Sequence, residues 1–378
     1  MNMRSGVRLT SLAAAGVLAL GALAACGSSN NNAGGGGGGG GNTGSGPSVG
    51  VILPDTTSSP RWEGQDRPNL TKAFNAAGLK SDIQNAGGDK TTFGSICDSM
   101  INEGVKVLMI VNLDSPSGAA CEKKAAQAGV QTIDYDRLTL GGSADYYVSF
   151  NNVQVGKLQG KGLIAALNKE GKTSNVNIAI IDGAATDNNA TLFKQGYLSV
   201  LNPLFSSGKY HKVGEQSGNW DATTAGTVYE QMYTQAKGKI DGIISANDTM
   251  AGGIIAREKA EGVKLPITGQ DAGVEGLDNI LSGYQSGTVY KNTSLEAAAA
   301  SKLAIDLIKG NTAAAKALVN GTTPDPVGHR NVPSVLETPV WITAKTVKQV
   351  IEDGQEEASQ VCAGKYAKLC KKYGVPMS

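Results

Sequence analysis

Apolar and polar positions follow two rhythms along this chain: short apolar runs of strand length, and longer stretches in which apolar residues return every three or four positions. The run VGVILPD (49–55) predicts a buried strand, followed by a helix over about 65–77 that stops at Gly78. SDIQNA (81–86) predicts a strand and 91–104 a helix with Ile96, Met100 and Ile101 on one face. VKVLMIVNL (105–113) is continuously apolar, as a strand covered on both faces requires. A helix over 116–128 ends at Gly129, and strands follow at 131–136 and 144–152. The pattern then restarts. Helices at 153–168, 188–201, 223–236, 250–261 and 274–282 alternate with strands at 175–183, 211–218, 241–248, 266–272 and 287–292. A helix over 294–309, a loop-rich stretch to 335, and PVWIT (339–343) leading a last helix complete the chain. Such alternation predicts an α/β fold with two doubly wound parallel sheets, the two runs meeting near Asn151 and Asn152.

The N-terminus changes the picture from fold to compartment. Arg4 and Arg8 precede an apolar run from Leu9 to Ala25 that is too short and too rich in Gly and Ala for a membrane span of about 20 apolar residues. It reads as a signal peptide over 1–25. The run ends Leu23-Ala24-Ala25-Cys26, which resembles a bacterial lipobox and implies lipidation of Cys26. Residues 27–47 are Gly, Ser and Asn with nothing to form a core, so 26–47 reads as a lipid-anchored tether. A flexible tether of about 20 residues spans roughly 25 Å. Its eight consecutive glycines follow no strand and precede no Lys-Ser/Thr pair, so they are not a phosphate loop.

Composition removes several function classes. The chain has 34 basic and 33 acidic residues, and without Arg4 and Arg8 the balance is neutral to within one charge. No basic field is present for nucleic acid or anionic lipid, so membrane contact is expected through the lipid anchor only. The two histidines, His211 and His329, cannot supply a Ser/His/Asp or Cys/His set, and no G-x-G-x-x-G opens either run. Neither a cofactor nor a metal is expected. Besides Cys26, four cysteines remain, with three possible connectivities. Proximity favours Cys97–Cys121, on consecutive helices, and Cys362–Cys370, as expected outside the cytoplasm.

In doubly wound sheets, ligands bind beyond the C-terminal ends of the strands. The residues there are Arg61-Trp62 and Arg67, Asp136-Arg137, Asp187-Asn188-Asn189, Trp220, Asn247-Asp248, Gln270-Asp271 and Lys291. Planar and charged hydrogen-bonding groups with two tryptophans suit a sugar. Its hydroxyls both donate and accept, and its C–H faces stack on indole. Each residue also has a plainer reading. Asp136 and Arg137 could form a surface ion pair, Asp248 or Asn188 could cap a helix, Trp220 could be packing, and Lys291 could be solvated.

The segments RWEGQDR (61–67), YDR (135–137), YYVSFNN (146–152), DNNATLFKQG (187–196), SANDTMAGG (245–253), TGQDAG (268–273), TVYK (288–291) and NVPSVLETP (331–339) resemble the type I periplasmic sugar-binding proteins of ABC importers, and within that family the D-xylose-binding members. The resemblance spans most of 48–345. It implies two lobes joined by a three-crossover hinge and no catalytic step. The N-terminal lobe is then 48–150 completed by about 291–330, and the C-terminal lobe 151–290 completed by about 331–378. It further implies that Arg61, Asp136, Arg137, Asn189, Trp220, Asn247, Asp248, Asp271 and Lys291 contact the sugar, with Trp62 either stacking on it or bracing the loop. The implied ligand is a monosaccharide, xylose or a similar aldopyranose, passed by a monomeric binding protein to an importer permease. The alternative is a sugar-sensing receptor that feeds a membrane signalling partner. The tether and residues 346–378 match nothing in the family pattern.

Overall fold

The computed structural model describes residues 46–377. The signal peptide, Cys26 and nearly all of the tether lie outside the described residues. The first run is β1 (Val49–Leu53), a π-helical turn (Trp62–Asp66) continuing into α1 (Arg67–Ala76), β2 (Ser81–Asn85), α2 (Lys90–Asn102), β3 (Val107–Ile110), α3 (Ser115–Gln127), β4 (Gln131–Tyr135) and β5 (Tyr146–Phe150). The second is α4 (Asn152–Lys169), β6 (Val176–Asp182), α5 (Asn188–Ser206), β7 (Tyr210–Ser217), α6 (Ala222–Gln235), β8 (Gly242–Ser245), α7 (Asp248–Glu261), β9 (Thr268–Gln270), α8 (Val274–Leu281) and β10 (Gly287–Tyr290). The chain returns through α9 (Thr293–Ile308), α10 (Thr312–Leu318), β11 (Gly321–Asp325) and β12 (Arg330–Glu337). It ends with β13 (Val340–Ile342), α11 (Val347–Glu352), α12 (Ala358–Val361) and α13 (Ala367–Tyr373).

The first sheet has the order β11-β12-β5-β4-β3-β1-β2, parallel except for β11. Period-two burial explains its two cores. Val49, Val51, Leu53, Val107 and Met109 face α1 and α9, while Ile52, Leu108 and Ile110 face α2 and α3. In the second lobe β7-β6-β8 is joined to β9, β10 and β13 by a parallel bridge between Ile243 and Ile267. The chain passes between the sheets after β5, after β10 and after β12. Cys97–Cys121 ties α2 to α3, and Cys362–Cys370 ties the end of α12 to α13.

The stretch read as loop to 335 instead holds α10 and a hairpin that extends the first sheet. Pro324 is tolerated because β11 is an edge strand. Pro333 lies in the part of β12 that pairs with β11, one residue before pairing with β5 begins at Ser334. Because β12 belongs to the first sheet, that lobe runs past 330 to Glu337, and the last crossover lies at 338–339.

Candidate functional site

The order β2-β1-β3 in one sheet and β7-β6-β8 in the other place a switch point beside β1 and another beside β6. The loops leaving these strands face each other across the lobes. Between them lies a cavity of about 300 Å³, lined by Ser58, Ser59, Arg61, Trp62, Asp136, Arg137, Asp187, Asn189, Phe193, Trp220, Asn247, Gln270, Asp271 and Lys291. Nine of the ten residues expected at the site therefore line one cavity.

The N-terminal wall is built around Arg61. Its Nε and Nη2 donate to Asp66 at 2.8 Å each, Nη2 also donates to Glu296 at 2.5 Å, and Nη1 donates to Asp136 at 2.9 Å. One Nη1 hydrogen is left for a ligand. Asp136 has a left-handed backbone (φ 60°), and its carbonyl accepts from Tyr147 and Ser149 at 2.9 Å each. Its carboxylate also receives Lys291 Nζ at 3.2 Å. Burial alone would raise the Asp136 carboxyl, but Lys291, Arg61 and Arg137 together hold it well below the usual carboxylate range. Glu296 shows the reverse balance: burial pushes it up to about 8 although Arg61 pulls the other way. The Trp62 ring lies 4.6 Å from the Arg61 guanidinium and 5.4 Å from that of Arg137, and Trp62 Nε1 donates to Ser58 at 3.0 Å. Trp62 thus braces both arginines while it lines the cavity.

The C-terminal wall is placed by helix starts and unusual backbone. Asp187 caps α5 by accepting from Asn189 N, and Asn247 caps α7 by accepting from Met250 N, at 2.9 Å in both cases. Asn219 and Trp220 are both left-handed, with φ of 55° and 58°. This backbone lays the Trp220 ring over Gly183, where a Cβ would come within 2.1 Å of it. Trp220 packs edge-to-face on Phe193 at 6.2 Å and donates to Asp187 at 3.2 Å. Asp271 is left-handed too (φ 104°), 3.8 Å from Lys291.

Bonds cross the cleft directly, so the lobes are closed. Asn189 Nδ2 donates to the Asp136 carbonyl and carboxylate at 3.0 Å each, and its Oδ1 accepts from Asn152 and Tyr147. Asn247 Nδ2 donates to Ser58 O at 2.9 Å. Arg137 Nε is 3.0 Å from Asp187, but its N–H is not aligned with that oxygen. Ser59 Oγ and Gln270 Oε1 are buried without a protein partner.

Asp248 is the exception among the expected residues. Its carboxylate turns away from this cavity and accepts from Gln285 at 2.7 Å, Thr288 at 3.1 Å and Gly273 N at 3.3 Å. It borders a second, larger cavity of about 1090 Å³. Burial, with Asp271 nearby, pushes its carboxyl up to about 8. Two neighbours in the strand-end series also differ. Arg67 is drawn outward by Glu63 at 2.5 Å, and the cap of α5 is Asp187 rather than Asn188. Asp187 and Gln270 were in that series but not among the expected contacts. Phe193 was missed, although helical spacing places it one turn beyond Asn189 in α5. Ser58 and Ser59 gave no signal apart from their nearness to Arg61.

Among the described residues no cluster of His, Cys, Asp or Glu could hold a metal ion, and no helix is long and apolar enough to cross a membrane. Residues 49–312 match the periplasmic binding protein domain. The chain is 35% identical to the D-xylose-binding periplasmic protein of Escherichia coli over 317 residues, which covers 83% of this chain and 92% of that protein. It is 33% identical to a multiple sugar-binding periplasmic receptor of Rhizobium radiobacter over 340 residues, 83% of this chain and 92% of the other. A carbohydrate transporter solute-binding protein from Chloroflexus aurantiacus, solved with D-glucose, superposes with a TM-score of 0.76 at 28% identity, covering 83% of this chain and 98% of that one. The chain belongs to the periplasmic binding protein family, has its type I fold, and shares its role of binding a ligand without catalysing a reaction on it.

Proposed function

We propose that this protein captures one uncharged monosaccharide, xylose or a similar aldopyranose, between its lobes and delivers it to an ABC importer. The observation that carries this reading is the composition of the closed cavity. The cavity is small, and its lining mixes charged, amide and aromatic side chains. Arg61, Arg137 and Lys291 face Asp136, Asp187 and Asp271, so a ligand anion would meet three carboxylates and a ligand cation three cations. A neutral polyol meets donors and acceptors alike, with Trp220 and Phe193 for its apolar face. The D-xylose-binding relative supports a pentose, and the glucose-bound neighbour makes glucose the principal competitor. A thermal-shift screen of aldoses and ketoses tests the reading. Binding at 100 times Kd adds about 2.7 kcal/mol of stability.

The sequence Leu23-Ala24-Ala25-Cys26 supports export and lipid anchoring at the outer face of the cytoplasmic membrane. Cys26→Ser is expected to release the protein from membranes or block its processing. The receptor named among the relatives favours a second reading, a sensor that reports closure to a membrane partner. Loss of sugar uptake on deletion of the gene supports import, whereas intact uptake with loss of a sugar response supports sensing.

A further inference from the structure

The segment after β13 belongs to neither parallel sheet. It packs on the C-terminal lobe through Val347, Val350, Val361 and Cys370, which share a core with Leu277 and Ile280 of α8 and Tyr290 of β10. Between α11 and α12 lies Gln355, 4% exposed. Its Oε1 accepts from Thr293 N at 3.1 Å and from Thr293 Oγ1 at 2.8 Å. Its carbonyl accepts from Gln65 Nε2. Thr293 opens α9 and Gln65 lies in the π-helical turn, and both elements pack in the N-terminal lobe. The Thr293 N–H is one of the donors that a helix start leaves unpaired, and here a residue anchored on the other lobe satisfies it. The same two elements carry Glu296 and Asp66, the carboxyls that hold Arg61.

We propose that Gln355 is a positioning residue for ligand retention, a non-covalent link between the lobes beyond the three covalent crossovers. It holds the elements around Arg61 in their closed arrangement and so slows sugar release. This rests on the sugar-binding reading, but its effect on the lobes does not. Gln65 lies in the N-terminal lobe and Gln355 is fixed on the other, so cleft opening is expected to pull the Gln65 bond apart, while the Thr293 bonds hold Gln355 in place beside the crossover after β10. Gln355 does not line the sugar cavity. Its loss is therefore expected to act on dissociation rather than on encounter.

The test uses the full protein as parent, Gln355→Ala and Gln65→Ala, each carrying a spin-label pair with one label per lobe. Interlobe distances are measured with and without D-xylose, and sugar dissociation by stopped flow. The proposal expects both variants to shift toward longer interlobe distances. It expects dissociation to rise roughly fivefold, the scale of one net hydrogen bond, with association within about twofold of the parent. Gln65→Ala keeps the test open if Gln355→Ala lowers the melting temperature, because it leaves Thr293 paired. Parent-like distances in both variants, with and without sugar, would overturn it. A parent that binds no aldose sinks the sugar reading, while the sugar-free distances still decide the role of Gln355.

Discussion

The two walls of the cavity are made by different means. On the N-terminal side, Arg61 is fixed by charge, with three carboxyl side chains on one guanidinium and Trp62 against it. On the C-terminal side, position comes from backbone: caps by Asp187 and Asn247, and left-handed residues at Asn219, Trp220 and Asp271. A charged wall is stiff because losing one member strands the others in a dry site. A backbone-built wall can lose a side chain while its loop keeps its shape. The lobes should therefore respond differently to truncation.

Arg61→Ala breaks the comparison most severely. It leaves Asp66, Asp136 and Glu296 without their shared cation, and both stability and sugar affinity are expected to fall, each by about 3–5 kcal/mol. Thermal melts and titration calorimetry read the two losses separately. Asp271→Ala comes next. It removes a charge-assisted acceptor from the cleft, and affinity is expected to fall by about 2–4 kcal/mol with the melting temperature of the sugar-free protein nearly unchanged. Trp220→Ala is smaller, about 1–2 kcal/mol of affinity through lost stacking. If Asp271→Ala unfolds the protein as Arg61→Ala does, the two walls are not different in kind.

Asp248→Asn should have the smallest effect on affinity, less than about twofold, because its carboxyl faces Gln285, Thr288 and Gly273 rather than the cavity. Its signature is instead in pH. Burial raises this carboxyl from 3.8 to about 8 in the folded state. The stability it contributes is fully present below pH 3.8 and is lost as pH rises through 8. The Asn variant should flatten this part of the melting-temperature profile measured between pH 4 and 9. An unchanged profile together with a large loss of affinity would place Asp248 in the sugar site after all.

These contrasts also separate what could be read from the sequence from what could not. Strand and helix rhythm reveals both sheets, and the strand-end rule brings Arg61, Asp136, Arg137, Asn189, Asn247, Asp271 and Lys291 to one cleft. Glu296 was invisible because it meets Arg61 across 235 residues of sequence, and no local pattern marks such a pairing. The β11–β12 hairpin was hidden by Pro324 and Pro333, which are tolerated because β11 is an edge strand and because Pro333 precedes the pairing of β12 with β5. Asp248 adjoins Asn247, yet a one-residue step at a helix start turns its side chain out of the first cavity toward Gln285, Thr288 and Gly273.

The central claim is that the closed cavity takes a neutral sugar, and titration calorimetry with D-xylose and its aldonic acid, xylonate, tests it most directly. The account predicts saturable one-to-one binding of an aldose, D-xylose first and D-glucose as the competitor, and at least about tenfold weaker binding of xylonate, which brings a carboxylate against Asp136, Asp187 and Asp271. Tighter binding of xylonate, or no heat with any aldose, would contradict it.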